Sequence, residues 1–124
     1  MAITIITAAL TGAVTPAGYN IPETPEQIVQ AAYECWQLGA AVVHIHTRAE
    51  DGKGAMNTAA FKEIVEGIRA HKDCDVVINC TSSGATPDHP CTDEQRYLHH
   101  MTVPGIEMGS YDAGTFNWMP GGVF

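Results

Sequence analysis

Four short apolar runs, rich in β-branched residues, alternate along the chain with segments of helical periodicity. The runs cover residues 3–8, 41–46, 75–80 and 106–110. Their spacing is that of successive βα units, which take roughly 30 residues or more each. Continuous apolar runs are typical of strands buried on both faces, as in parallel sheets. The pattern therefore predicts an α/β fold with four parallel strands and helices between them.

The first helix has clear signals at both ends. Thr24 is a suitable N-cap, Pro25 occupies the first helical position, and Gln27 can complete a capping box. Gly39 is a natural stop at the C-terminal end. Apolar and small residues recur between these signals at helical spacing, namely Ile28, Ala31, Ala32, Cys35 and Trp36.

Two more helices follow the second and third runs. The second is predicted to begin at Asn57 or Thr58, and its inner face carries Phe61, Ile64, Val65 and Ile68. The third is shorter, and Thr92 repeats the capping pattern of the first helix. His99 and His100 lie near its end, where a positive charge suits the helix dipole.

This order of elements predicts the N-terminal half of a (β/α)8 barrel, with about four βα units and the last helix missing. The 124 residues are about half of the roughly 250 that a closed barrel needs. Residues 111–124 carry Gly114, Pro120, Gly121 and Gly122 and are predicted to form a loop. We expect residues 1–124 to form a single partial barrel domain, incomplete at the C-terminus.

An open sheet of four strands would leave two unpaired edges. We therefore expect the isolated chain to associate rather than remain monomeric. A compact, stable monomer would instead favour a flavodoxin-like open sheet. The nucleotide site of such a fold would need a phosphate loop, and the sequence contains no such motif.

Composition narrows the classes of function. Apolar residues make up 45% and charged residues 16%, which is typical of a globular protein. The net charge of -8 disfavours nucleic acid and anionic membranes as partners. The four cysteines lack C-x-x-C spacing and indicate reduced thiols in a cytoplasmic protein. The apolar N-terminus lacks a basic region and is interpreted as a buried strand rather than a signal peptide, and no stretch is long enough to span a bilayer.

The strongest chemical signal is the pair His44 and His46 in the second run. Alternate residues of a strand share a face, so these imidazoles point the same way while Val43 and Ile45 face the helices. Arg48 shares the histidine face if the chain stays extended. Ligands bind at the C-terminal ends of such strands, and two imidazoles with a carboxylate from elsewhere form an open metal site. Two polar histidines on an exposed strand are the alternative.

Three strand ends carry further candidate binding residues. Thr81, Ser82, Ser83 and Gly84 follow the third run, and their hydroxyl and backbone N–H groups can hold carboxylate or phosphate oxygens. A plain turn is the alternative. Ser110 and Asp112 share parity at the fourth run, although Asp112 also suits a turn. Thr11 and Gly12 end the first run, where a glycine permits close approach of a ligand or simply makes a turn.

Other conspicuous residues are assigned structural positions. Cys80 is interpreted as a small core residue and Trp36 as part of the helical layer. The remaining histidines are predicted to lie at the surface, namely His71, His89, His99 and His100.

Taken together, the strand-end motifs resemble those of one enzyme family. The motifs are Thr-Ala-Ala-Leu-Thr-Gly-Ala over residues 7–13, His-Ile-His-Thr-Arg over 44–48 with Asp-Gly at 51–52, Asn-Cys-Thr-Ser-Ser-Gly over 79–84, and Glu-Met-Gly-Ser over 107–110 with Ala-Gly-Thr-Phe-Asn over 113–117. Their order and spacing resemble the β-keto acid cleavage enzymes over nearly the whole chain. Each motif is weak alone, and the combination carries the resemblance.

The resemblance implies a zinc-dependent (β/α)8 barrel that converts a β-keto acid and acetyl-CoA into acetoacetate and a new acyl-CoA. It implies that His44 and His46 bind zinc or another divalent metal, with a Glu from a later strand as third ligand. It places Thr81 and Ser110 at hydroxyl positions that contact the substrate. The family's proposed general base, an Asp, and an assisting Arg also come from later strands. Family members tend to form homo-oligomers.

Two positions depart from the family pattern. The segment Thr-Ser-Ser-Gly over residues 81–84 stands where the family tends to have a Gly-Gly pair, so the loop is expected to be less tight than in the family. Val14 stands where members that act on amino-substituted keto acids carry an acidic residue. A valine cannot pair with an ammonium group, so we expect a neutral or apolar substrate tail. The alternative functions are another metal-dependent barrel lyase or aldolase, and a half-barrel that binds metal without catalysis.

Overall fold

A computed structural model describes residues 3–13, 17–111, 117–118 and 122–123 of the chain. The elements in chain order are β1 (Thr7–Ala9), α1 (Pro25–Gln37), β2 (Val42–Ile45), α2 (Thr58–Ala70), β3 (Val77–Cys80), α3 (Asp93–Thr102), β4 (Met108–Gly109), β5 (Asn117–Trp118) and β6 (Gly122–Val123). The first four strands form one parallel sheet in the order β1-β2-β3-β4. This is the arrangement of the first units of a (β/α)8 barrel, and it confirms the predicted fold class.

The helix ends match the sequence signals. The Gln27 amide donates to Thr24 Oγ1, and the Gln27 side chain accepts from the Thr24 amide. Asn57 caps α2, and Thr92 makes a second capping box at the start of α3. Gly39 has a φ of +100°, a conformation that L side chains rarely adopt, so a glycine is required where α1 ends.

The core lies between the helices and one face of the sheet. It unites the inner faces of α1 and α2 with the helix-facing residues of β2 and β3, namely Ile28, Ala32, Val43, Ile45, Phe61, Ile64, Val65, Ile68, Ile78 and Cys80. Trp36 packs against this core and donates its indole N–H to Asp75. Burial raises the pKa of the Cys80 thiol to about 12, which suits a core residue. The predicted places of Trp36 and Cys80 are confirmed.

The prediction that His99 lies at the surface is wrong. Its side chain is fully buried, and its ring stacks on Phe61 with 4.1 Å between centroids and 10° between planes. The rings of His99 and His100 also lie 4.1 Å apart between centroids, with 41° between their planes. The buried imidazole of His99 therefore packs against two neighbouring rings. His71, His89 and His100 are half-buried.

Two other predictions need correction. The first strand begins at Thr7 rather than at residue 3, because β2 offers its first pairing partner at Val42. Ile3 and Ile5 stay 92% and 70% exposed as a result. The predicted loop over residues 111–124 contains a short antiparallel pair, β5 with β6.

Candidate active site at the carboxyl ends of the strands

The side chains that face away from the helices form rows across the sheet. The register pairs Ala9 with His44, His44 with Asn79, and Asn79 with Met108. His46 and Thr81 follow two residues further on, toward the carboxyl ends of β2 and β3. Parallel strands end at the same edge of the sheet, so the candidate residues of three separate motifs meet there.

The two predicted metal ligands lie side by side. The Nε2 atoms of His44 and His46 are 3.1 Å apart, and the rings meet edge to face with 78° between their planes. His44 is half-buried, and His46 is only 6% exposed. The parity argument from the strand is therefore confirmed in geometry, because both imidazoles point to the same spot.

His46 is held in its neutral form. Burial is the main cause that lowers its pKa from 6.5 to about 4, and the neighbouring His44 and Arg48 lower it further. At neutral pH the imidazole therefore has one ring nitrogen with a lone pair. A neutral imidazole can bind a metal through one ring nitrogen while its proton sits on the other, so no proton is lost to solvent.

This geometry fits one divalent cation. Zinc binds imidazole nitrogens at about 2.0–2.1 Å in tetrahedral geometry, which separates two ligand atoms by roughly 3.3 Å. The observed 3.1 Å between the Nε2 atoms is close to that value. No set of three His, Cys, Asp or Glu side chains able to hold a metal occurs within the described ranges. If a metal binds here, any third protein ligand would lie outside these ranges.

Asn79 contacts this pair, and the sequence argument did not assign it a role. His44 Nδ1 donates to Asn79 Oδ1 over 2.8 Å. The signal was present in the sequence, since Asn79 has the same parity in β3 as His44 has in β2. The contact could be recognised only from the strand register, which pairs Asn79 directly with His44.

The end of β1 meets the segment after β2. Arg48 is 7% exposed and donates from Nη2 to the backbone oxygen of Thr11 over 3.2 Å. Thr11 is 1% exposed, and Gly12 has a φ of +69°, which favours glycine. Burial lowers the pKa of Arg48, and Glu23 offsets part of that effect. Strand β2 ends at Ile45, so Arg48 does not lie on an extension of this strand. Its backbone instead pairs with Gly54 in an isolated antiparallel bridge.

The ends of β3 and β4 are joined by serines. Ser82 donates from Oγ to the backbone oxygen of Ser110 over 2.7 Å, and its amide donates to Ser110 Oγ over 3.4 Å. The amide of Ser83 donates to Thr81 Oγ1 over 3.0 Å, which closes a turn. The Thr81 side chain is buried and that of Ser83 is exposed. Asp112 lies outside the described residues.

Three loops meet beside the site. A Cβ at Gly54 would lie 3.2 Å from the oxygen of Gly84, 3.3 Å from Thr86 and 3.4 Å from the oxygen of Ala13. A Cβ at Gly84 would lie 2.9 Å from the sulfur of Met56. The loop after β3 is thus tightly packed, in contrast to the looser loop expected from the sequence Thr-Ser-Ser-Gly.

Polar contacts at the surface also join the loops after β2 and β3. Lys53 pairs with Asp88 over 2.9 Å, and His89 Nε2 lies 3.0 Å from Asp51. These side chains are 33–60% exposed, so each contact contributes little to stability. The pairs do fix which segments of the two loops lie together.

None of the helices within the described ranges is long and apolar enough to cross a membrane.

A family model described as beta-keto acid cleavage enzyme matches residues 4–124. Among similar proteins, 3,5-dioxohexanoate:acetyl-CoA acetone transferase of Paraburkholderia graminis is 38% identical over 117 residues, covering 90% of this chain and 37% of the relative. The 3-keto-5-aminohexanoate cleavage enzyme of Acetoanaerobium sticklandii is 37% identical, covering 92% and 40%. The 3-dehydrocarnitine:acetyl-CoA trimethylamine transferase of Rhizobium meliloti is 41% identical over 80 residues, covering 62% and 26%. The chain spans about two fifths of the length of the first two relatives.

Solved structures show the same fold at lower identity. The apo structure of ObcA superposes with a TM-score of 0.68 at 19% identity, covering 83% of this chain and 25% of that one. The ternary complex of ObcA with a C4-CoA adduct and oxalate gives the same TM-score and identity, with 26% of that chain covered.

Proposed function

We propose that the whole protein converts a β-keto acid and acetyl-CoA into acetoacetate and a new acyl-CoA. The chain itself belongs to the β-keto acid cleavage enzyme family, and the proposal proceeds from that membership. Residues 1–124 would form one partial barrel domain of that enzyme. The names of the similar proteins support acetyl-CoA as the second substrate, since two of the three described above are acetyl-CoA-dependent transferases by name.

The observation that carries the proposal is the convergence of His44 and His46, whose Nε2 atoms lie 3.1 Å apart. We assign both as ligands of zinc or another divalent cation. When bound, such a cation supplies Lewis acidity toward the keto oxygen of the substrate. The imidazoles hold its position, and Asn79 holds one of the imidazoles.

The third ligand and the general base are proposed to come from later strands of the whole protein. This assignment rests on the family resemblance. It is consistent with the described residues, where no set of three suitable side chains could hold a metal.

Substrate contacts are proposed for the residues around the two histidines. The buried guanidinium of Arg48, beside the Thr11 carbonyl, would attract the substrate carboxylate. The hydroxyls of Thr81 and Ser110 would contact the reacting part of the substrate, at the ends of β3 and β4. The remaining members of the proposed substrate site are Gly12, Ser82, Ser83, Gly84 and Asp112.

We propose a cytoplasmic homo-oligomer whose partners are small molecules rather than nucleic acid or membrane. Val14 leads us to propose a neutral or apolar tail on the keto acid. A substrate panel that shows strong preference for an amino-substituted keto acid would refute that last proposal.

The test is an assay of the full-length protein with a panel of β-keto acids, with and without acetyl-CoA. Acetoacetate and the new acyl-CoA should appear together, in equal amounts, and only with acetyl-CoA. Treatment with a chelator should abolish both products, and added Zn²⁺ should restore them. Cleavage without acetyl-CoA would indicate a lyase or aldolase, and the absence of any product across the panel would count against catalysis.

A further inference from the structure

We propose that Asn79 is a positioning residue that fixes which ring nitrogen of His44 carries the proton. This inference rests on the proposed metal site. Asn79 would not touch the metal or the substrate. It would act through His44, by keeping the lone pair of Nε2 directed at the metal position.

The proton count at this contact is simple. An amide oxygen has no hydrogen, so it can only accept, and His44 Nδ1 must donate across the 2.8 Å contact with Asn79 Oδ1. In its neutral form, which is the form that binds a metal, an imidazole has a single N–H. Nε2 of neutral His44 is therefore left with its lone pair, and this is the atom that points toward His46.

The same count assigns His46 a different state. The 3.1 Å contact between the two Nε2 atoms needs one hydrogen. His44 Nε2 has none, so His46 Nε2 must donate in the metal-free protein. When His46 binds a metal through Nε2, its proton must move to Nδ1, which is buried and has no hydrogen-bond partner in the part of the chain that the structure describes. The described residues thus fix His44 and leave His46 able to change tautomer.

The position of Asn79 is a second, independent observation. Asparagine is depleted in strands because its side chain competes for backbone hydrogen bonds. Asn79 nevertheless lies inside β3, directly opposite His44 in the register. When a residue type that is unfavourable in strands occurs in a strand beside a functional site, it is expected to contribute to that site.

Metal affinity is one test, and it needs no catalytic activity. Zn²⁺ dissociation constants of the full-length protein would be measured by competition with a coloured chelator. Asn79→Leu, which removes the acceptor at similar size, should weaken binding by about 10–100-fold, as expected for a group that orients a ligand. Asn79→Asp retains an acceptor and should stay within a few-fold of wild type. Asn20→Leu, at an exposed asparagine outside the strands, should have no effect.

The proton position is a separate test in metal-free protein. ¹⁵N-histidine NMR reports which ring nitrogen carries hydrogen, and a His44→Gln variant identifies the His44 signals. Wild type and Asn79→Asp should carry the proton on Nδ1, and Asn79→Leu should show a mixture or Nε2–H.

The two tests separate the two proposals. A proton on Nε2 of His44 in the wild type overturns the role of Asn79, because the amide nitrogen would then face the ring. Equal Zn²⁺ affinity of wild type, Asn79→Leu and Asn79→Asp also overturns it. A wild-type protein that binds no Zn²⁺ refutes the metal site of the proposed function, while the NMR result still decides how Asn79 sets the tautomer. If Asn79→Leu fails to fold, the wild-type and Asn79→Asp spectra decide the question.

Discussion

The two faces of the central sheet are built from neighbouring residues and have opposite chemistry. On the helix side, Val43, Ile45 and Ile78 are fully buried in apolar surroundings. On the other side, His44 and Asn79 are half-buried and hydrogen-bonded to each other. A strand alternates its side chains between faces, so neighbouring residues of β2 contribute alternately to the apolar core and to the candidate site. Changes on the helix side should therefore act on folding, and changes on the other side on binding.

The largest effect is expected on the helix side, at Phe61. Phe61→Ala should lower the free energy of unfolding by about 3–5 kcal/mol, because it leaves a cavity in the core and removes the ring that stacks on His99. Urea unfolding of the full-length protein measures this. Tyr19→Ala is the matched control, since Tyr19 is 73% exposed and its loss should change the value by less than about 0.5 kcal/mol. Equal losses from both variants would contradict the assignment of the core.

A change at His46 should act on binding and activity rather than on folding. His46→Ala should reduce turnover by more than about 100-fold, because even residues that orient a metal ligand contribute about 10–100-fold. Product formation from keto acid and acetyl-CoA measures this. His71→Ala is the control, because His71 lies at the far end of the sheet and stacks on Tyr33. A variant with wild-type turnover would remove His46 from the site.

The pH dependence of stability should show that His99 is buried in its neutral form. Burial lowers its folded pKa from 6.5 to about 4, so the unfolded chain binds the proton first as the pH falls. Stability from this group is complete above pH 6.5 and is lost between 6.5 and about 4, amounting to about 2 kcal/mol by pH 5. Urea unfolding at pH 7 and pH 5 should show that loss in wild type.

His99→Phe is the matched variant for this measurement. It retains an aromatic ring against Phe61 and has no titrating group, so it isolates His99 from His46, whose pKa burial also lowers to about 4. The loss between pH 7 and pH 5 should shrink by about 2 kcal/mol in the variant. An unchanged pH dependence would contradict the buried, neutral state of His99.

The smallest effect on stability is expected at the serines that join the ends of β3 and β4. Ser82→Ala removes the 2.7 Å hydrogen bond to the Ser110 backbone and should cost about 1 kcal/mol of stability. Ser83→Ala changes an exposed side chain and should be close to neutral. Urea unfolding compares the two, and equal values would indicate that the hydroxyl of Ser82 does not hold the strands together.

Local rules predicted the elements and part of the site. Capping chemistry placed the starts of α1, α2 and α3, and strand parity placed His44 and His46 on one face. The role of Asn79 was not predicted because it depends on the pairing of two strands. Asn79 and its partner His44 are 35 residues apart in the chain. His99 was misassigned because a polar residue near a helix end is usually exposed, and its partner Phe61 lies on another helix. Long-range packing decided both cases, and no local pattern encodes it.

Gly54 has an evolutionary consequence. Its missing side chain lets the loops after β1, β2 and β3 share one small volume, so lengthening one of these loops would displace the other two. Barrel enzymes commonly diversify by changing such loops. In this scaffold, new specificity is expected to arise by replacing side chains around the rim while loop lengths stay constant. Gly54 would then persist across lineages that have exchanged their substrates.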